Sequence, residues 1–181
     1  TTELALGFKD FISPDAPDIY PEELRADIDA LNVIIYADFN LAVNLAALVT
    51  NQKDYEYYYD RIFARLDWLE ERLSKQRYLM GDTITDSDIR IFPTLARFDL
   101  VFYQKYLVNK KRLVDYPNLW NYAKDLYSNP AFGGTTDFDS MRKRFYYVDH
   151  TPFEDLPRLV PKGPDDSIWL EANDRAEKFG K

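Results

Sequence analysis

Apolar residues recur at intervals of three and four along most of the chain, the spacing that places side chains on one face of an α-helix. The first such stretch follows Pro21, a residue that the first turn of a helix accepts because its missing N–H needs no partner there. Its apolar positions predict a long amphipathic helix: Leu24, Ile28, Leu31, Ile35, Phe39, Ala42, Ala46 and Val49. A second stretch runs from an expected N-cap at Asp54 to Leu73, and the short turn 50–53 predicts that the two helices pack as an antiparallel pair.

The strongest local signal is a helix start made by four residues: Ile84, Thr85, Asp88 and Ile89. In such a capping box the Thr85 hydroxyl accepts the N–H of Asp88, the Asp88 carboxylate accepts the N–H of Thr85, and the two isoleucines form a hydrophobic staple. Loss of either polar side chain is expected to cost about 1 kcal/mol. The helix that follows is apolar on nearly every side, so we expect it at the centre of the domain, bent where Pro93 removes a backbone hydrogen bond.

Two shorter helices are predicted downstream. Pro117 opens one, which Asn129-Pro130 ends, and Thr136 with Asp139 begins the other. No segment has a convincing strand pattern, so the predicted fold class is all-α, a helical bundle around a buried, proline-bent central helix. We divide the chain into a connector at 1–19, the helical domain at 20–148, and a proline-rich tail at 149–181 with a short helix near its end.

The composition narrows the chemistry that the chain can perform. Its 181 residues, 46% hydrophobic and 30% charged, suit one packed domain, and the absence of cysteine excludes a thiol nucleophile or a thiolate metal site within them. The single histidine, His150, makes a tetrahedral metal site improbable, and no metal is expected. A net charge of −8 argues against nucleic-acid binding. No run reaches the length of a membrane span and no signal peptide opens the chain, so a cytoplasmic location is expected.

The order of these elements and several residue strings resemble the C-terminal domain of glutathione transferases, and within that superfamily the glutathionyl-hydroquinone reductases, or Xi class. The Thr85–Asp88 capping box is similar to one shared widely in the superfamily. The more specific strings span about residues 18–166 in the family's order: Tyr20-Pro21-Glu22, Arg77-Tyr78-Leu79, Phe92-Pro93-Thr94-Leu95, Arg97-Phe98-Asp99, Asp115-Tyr116-Pro117 and Val160-Pro161.

This resemblance implies a helical domain that lines a hydrophobic pocket for an aromatic substrate and makes a homodimer contact. It also implies a thioredoxin-like domain that binds glutathione and supplies a cysteine. That cysteine takes glutathione off a glutathionyl-hydroquinone as a mixed disulfide, which a second glutathione reduces. Because this chain has no cysteine and starts at Thr1 rather than Met, we expect the thioredoxin-like domain upstream and no such activity from the chain alone.

By the same resemblance, six residues line the substrate pocket: Asn40, Asn44, Leu48, Tyr103, Phe145 and Tyr146. Asn44 stands where the family has a substrate-facing tyrosine, and Lys105-Tyr106-Leu107-Val108 replaces the family's His-Phe-Lys-Cys. The family's His-Tyr-Tyr aligns with Arg144-Phe145-Tyr146, or, shifted by one residue, places Tyr146-Tyr147 at the tyrosine pair. A phenol donates a proton to a quinol oxygen more readily than an amide does, so these departures argue against assuming a hydroquinone substrate.

Each of these assignments has a simpler alternative. Asn44 could bridge within a helix pair, and Tyr146 could be a buried tyrosine whose hydroxyl bonds to a backbone carbonyl. Arg97 and Asp99 are interpreted as ion-pair or cap partners rather than catalytic groups. For the chain as a whole, the alternative to an enzyme's substrate-pocket and dimerisation domain is a non-catalytic glutathione-transferase-like module for protein interaction or assembly.

Overall fold

The chain forms a bundle of helices in a computed structural model that describes residues 2–7, 11, 13, 16–148 and 159–180. The α-helices in chain order are α1 (Thr2–Gly7), α2 (Arg25–Ile35), α3 (Ala42–Leu48), α4 (Gln52–Leu73), α5 (Asp86–Arg97), α6 (Tyr103–Lys105), α7 (Pro117–Ser128), α8 (Pro130–Gly133), α9 (Phe138–Arg142) and α10 (Arg175–Phe179). Over the described residues there is no β-strand, only an isolated bridge between Tyr78 and Gly81, so the all-α prediction is confirmed.

The predicted first long helix is a continuous helical run from Glu22 to Leu48. A π-helical turn at Tyr36–Asn40 separates α2 from α3. Ile28, Ile35 and Phe39 are fully buried, whereas Val33, Leu48 and other apolar residues on the opposite face are exposed. By length and composition alone this run could also cross a membrane, but the core helix of a bundle passes the same test.

Helix α4 packs antiparallel to α3 across the short turn, with its apolar stripe in the core. The predicted N-cap at Asp54 was wrong, because the cap is Asn51, whose side-chain oxygen accepts the N–H of Asp54 at 2.9 Å. Asn and Asp are both good N-caps, and the choice depends on which residue has an extended backbone before the first turn. Here that residue is Asn51.

Helix α5 lies at the centre of the bundle, and its core side chains are buried: Ile91, Phe92, Leu95 and Ala96. Pro93 lies on its exposed side, and the α-helix continues past it to Arg97. A π-helical turn at Phe98–Phe102 then leads to α6. Proline lacks one hydrogen-bond donor, so a solvent-facing position is where that loss is easiest for water to compensate.

Helix α7 begins at Pro117 and ends at Ser128, which confirms both predicted boundaries. The start of α9 lies at Asp137, whose carboxylate accepts the N–H of Ser140 at 3.0 Å, so the prediction of Thr136 was one residue early.

Two residues of the tail are embedded in the helical domain. Trp169, on a 3-10 turn at Asp166–Leu170, packs against the Trp120 ring with 4.8 Å between ring centroids. Arg175, in the first turn of α10, is fully buried and donates to the backbone carbonyls of Leu73 and Arg77 at 2.7 and 2.6 Å. These contacts make Trp169 and Arg175 part of the core, and Arg175 satisfies the Leu73 carbonyl that the end of α4 leaves unpaired.

Candidate functional site

The start of α5 contains the capping box formed by Thr85 and Asp88. The Asp88 carboxylate accepts the backbone N–H of Thr85 at 2.8 Å and its hydroxyl proton at 3.0 Å. The staple residues Ile84 and Ile89 are both half-buried and pack against the core. The local sequence therefore folds here as a helix start, because its polar groups pair with one another.

Asp88 also has two partners that the capping box does not require. Its second oxygen accepts the backbone N–H of Leu79 at 3.0 Å and the hydroxyl of Tyr122, from α7, at 2.6 Å. Burial raises the pKa of the Asp88 carboxyl, and the four donated hydrogen bonds oppose that rise. Burial and the neighbouring carboxylate also raise the pKa of the Tyr122 hydroxyl. We call Thr85, Asp88 and Tyr122 the buried anchor, since it joins α5 to α7 and to the loop before α5.

Two residues before Asp88, the carboxylate of Asp86 is buried but less completely paired. One oxygen accepts the Asn32 side-chain amide at 2.9 Å and the Arg90 guanidinium at 2.5 Å. Its other oxygen has no hydrogen-bond partner among the described residues, and neither has the side-chain oxygen of Asn32. This contact joins the last turn of α2 to the start of α5.

Asn40 makes the next contact between these two helices. Its amide donates to the carbonyl of Arg90 at 3.0 Å, and its oxygen accepts the Thr94 hydroxyl at 2.9 Å. Asn44, one turn later, donates to the backbone carbonyl of Asn40 at 2.9 Å. Leu48, one further turn along, is 73% exposed. Three of the six predicted pocket residues therefore follow one another along the first helical run, next to its contact with α5.

Arg97 lies one turn after Thr94 and is half-buried. Its guanidinium donates to the carbonyl of Pro93 at 2.6 Å, and no carboxylate of the described residues forms an ion pair with it. Burial lowers its pKa. Of the two predicted roles, ion-pair partner or cap, Arg97 therefore has no ion pair with a described carboxylate and bonds to a backbone carbonyl near the end of α5. Asp99 is a cap, accepting the N–H groups of Leu113 at 2.5 Å and of Val114 at 3.3 Å.

The other three predicted pocket residues lie further along the chain. Phe145 packs on the rings of Phe102 and Tyr106, and Tyr146 donates from its hydroxyl to the carbonyl of Leu100 at 3.0 Å. That hydrogen bond is the arrangement expected of a buried tyrosine paired with the backbone. The side chain of Tyr147 is outside the described part of the structure, so the alignment shifted by one residue stays a prediction.

Tyr103 borders a cavity of about 410 Å³ between the end of the central helix and the tail, together with Asp99, Arg112, Pro161, Pro164 and Ile168. A larger cleft of about 930 Å³ lies at the other end of α5, and its wall includes Ile19, Leu24, Ile84, Ile89, Phe92 and Phe132. None of the six predicted pocket residues lines the larger cleft.

Metal chemistry has no candidate site in the described part of the chain, where no three histidine, aspartate or glutamate side chains converge. His150 lies outside the described residues. Residues that the sequence did not single out are Tyr122, Asp86 and Arg175, each of which is paired across a long sequence separation. Among them, Asp86 carried a sequence signal, as a charged residue at the start of a largely apolar helix.

Comparison with known proteins places this geometry in a family. Residues 52–125 match the family model described as glutathione S-transferase, C-terminal domain. A glutathione transferase from Gordonia bronchialis is 42% identical, with a TM-score of 0.92 over 99% of this chain and 56% of its own. Glutathionyl-hydroquinone reductase PcpF from Sphingobium chlorophenolicum is 38% identical over 81% of this chain and 46% of its own length. The glutathione-bound structure of YqjG, a glutathione transferase homologue from Escherichia coli, gives 31% identity and a TM-score of 0.88 over 98% of this chain and 56% of its own.

The chain belongs to the glutathione transferase family, as its C-terminal helical domain. Within that family it falls with the glutathionyl-hydroquinone reductases, or Xi class. The chain spans about half the length of the curated relatives that it matches.

Proposed function

We propose that this chain is the substrate-pocket and dimerisation domain of a glutathione-dependent transferase or reductase of the cytoplasm. Its partner domain, of thioredoxin-like fold, binds glutathione and supplies the thiol that attacks a glutathionylated aromatic substrate. The observation that carries the proposal is the combination of a close structural match to 56% of a glutathione transferase chain with a sequence that contains no cysteine. Thiol-disulfide chemistry needs a thiolate, so these residues contribute shape and binding rather than the reacting sulfur.

The six predicted pocket residues combine aromatic and aliphatic side chains with amide and hydroxyl groups, a mixture that suits a site for a small aromatic molecule. Asn40, Asn44 and Leu48 are presented along one helical run. Asn44 offers an amide where the Xi class has a phenol, so we place the substrate among glutathionylated aromatics in general rather than among hydroquinones alone.

The test compares the 181-residue polypeptide alone with the same polypeptide fused to the thioredoxin-like half of the Gordonia relative. We expect no glutathione-dependent release of product from a glutathionyl-hydroquinone by the polypeptide alone, and release by the fusion. A fusion whose thiol is replaced by serine serves as the control. Turnover by the isolated polypeptide would contradict the proposal.

A second candidate function is a non-catalytic interaction or assembly module. It is favoured by an exposed apolar face on the first helical run, where Val33 is 69% and Leu48 73% exposed, since such faces mark surfaces that another molecule covers. Light scattering after gel filtration, combined with a glutathione titration, separates the two. A stable complex with another protein, unchanged by added glutathione, favours the interaction module. A simple homodimer favours the enzyme domain.

A further inference from the structure

At the edge of the groove between the first helical run and α5 lies a positive charge, Arg97, that pairs with no carboxylate of the described residues. Asn32 contacts Asp86, and further along both helices Asn40 contacts Arg90 and Thr94, so the two helices run in the same direction. Asn44 lies one turn beyond Asn40. Arg97 lies one turn beyond Thr94, so the Cα atoms of Asn44 and Arg97 both lie about 5 Å further along the groove, at about the same level.

The helical spacing also fixes which side of α5 carries this charge. Thr94 faces Asn40, and positions three residues from it lie on nearly the same face, so Arg97 borders the groove rather than the core. The neighbouring wall positions are apolar and accessible to solvent, with Pro93 on α5 and Leu41, 36% exposed, on the first helical run.

The hydrogen bonding of Arg97 leaves donors available. A guanidinium carries five N–H donors, and within the described part of the chain that of Arg97 donates to one acceptor, the carbonyl of Pro93. Arg90, on the same side of α5, is instead paired with the Asp86 carboxylate at 2.5 Å. A half-buried cation with no carboxylate beside it binds an anion more strongly than a fully solvated cation does, because fewer water molecules compete for its hydrogen bonds.

We propose that Arg97 and Asn44 form an anion subsite in this groove, which binds the carboxylate or phenolate oxygen of an aromatic ligand whose ring lies on Leu41 and Pro93. The proposal rests on the proposed function, because it assigns the charge of the ligand that the aromatic pocket takes. The guanidinium would bind the oxygen as a charged donor, with the Asn44 amide as a neutral neighbour.

The experiment uses the full 181-residue chain and two isosteric probes, 1-naphthoate and the neutral 1-naphthamide, titrated by NMR chemical shift. We expect the anion to bind about tenfold more tightly, the size of one charge-assisted hydrogen bond. Arg97→Gln should abolish the preference, and Arg97→Lys should keep part of it. Arg90→Gln, which removes a cation already paired with Asp86, is the matched control and should leave the preference unchanged.

The outcomes separate this inference from the proposed function. If both probes bind the unmodified chain equally, or if Arg97→Gln keeps the preference, the anion subsite is wrong and the aromatic pocket stands. If neither probe binds, the pocket itself is wrong, and the subsite with it. Circular dichroism of each variant confirms that the helical fold is retained.

Discussion

Asp88 and Arg97 are ionisable residues near opposite ends of α5, and they differ in how deeply they are buried and how many hydrogen bonds they make. Asp88 is fully buried, and its two oxygens accept four hydrogen bonds. Arg97 is half-buried and donates to one backbone carbonyl. A buried charge with every bonding position filled holds the fold together, whereas a charge with positions left open is available to a ligand. The buried anchor and the groove beside Arg97 are therefore a structural region and a proposed binding region on one helix.

The largest effect is expected from Asp88→Ala. Removing the carboxylate leaves four donors without an acceptor, the N–H groups of Leu79 and Thr85 and the hydroxyls of Thr85 and Tyr122, so the free energy of unfolding should fall by about 3 to 5 kcal/mol. Urea unfolding followed by circular dichroism measures it. This is more than the value of about 1 kcal/mol that the capping box alone suggests.

Asp137→Ala is the matched control for that variant, because Asp137 is also a helix-capping aspartate but is exposed. It should cost about 1 kcal/mol. Equal losses for the two aspartates would show that the contacts of Asp88 to Leu79 and Tyr122 add nothing to a simple cap.

An intermediate effect is expected from Tyr122→Phe. The change keeps the buried ring and removes the hydroxyl that donates to Asp88 at 2.6 Å, so we expect a loss of about 2 kcal/mol, typical of a hydrogen bond to a charged group. Tyr57→Phe, at a ring that is 53% exposed, is the control and should change stability by less than about 0.5 kcal/mol. A neutral result for Tyr122→Phe would mean that water replaces the hydroxyl.

The smallest effect is expected in the groove. Asn44→Ala removes a hydrogen bond to the carbonyl of Asn40, one turn earlier in the same helical run, so the free energy of unfolding should change by less than about 0.5 kcal/mol. Asn32→Ala is the comparison, because the amide of Asn32 is buried and donates to Asp86 at 2.9 Å. Its loss should cost about 1 to 2 kcal/mol. If Asn44→Ala proves the more costly variant, the groove is a structural region like the anchor.

Much of the fold could be predicted from the sequence because its determinants are local. Apolar residues at intervals of three and four positions predicted the helices. Pro117 and Asn129 predicted the ends of α7, and Thr85 with Asp88 predicted the start of α5. Errors of one to three residues remained at Asp54 and Thr136, because several residues near each helix start are able to cap it.

The candidate site was less predictable, since its side chains meet across long sequence separations. The sequence alone determined an all-α bundle, a central helix and the absence of any thiol, because helical periodicity, capping chemistry and composition need no knowledge of distant contacts. Only the tertiary structure decided that Tyr122 reaches Asp88, that Arg175 joins the tail to the end of α4, and that Arg97 has no carboxylate beside it among the described residues. The physical reason is that the energy of a charge depends on which groups the fold brings next to it, and a sequence pattern records spacing along the chain rather than distance in space.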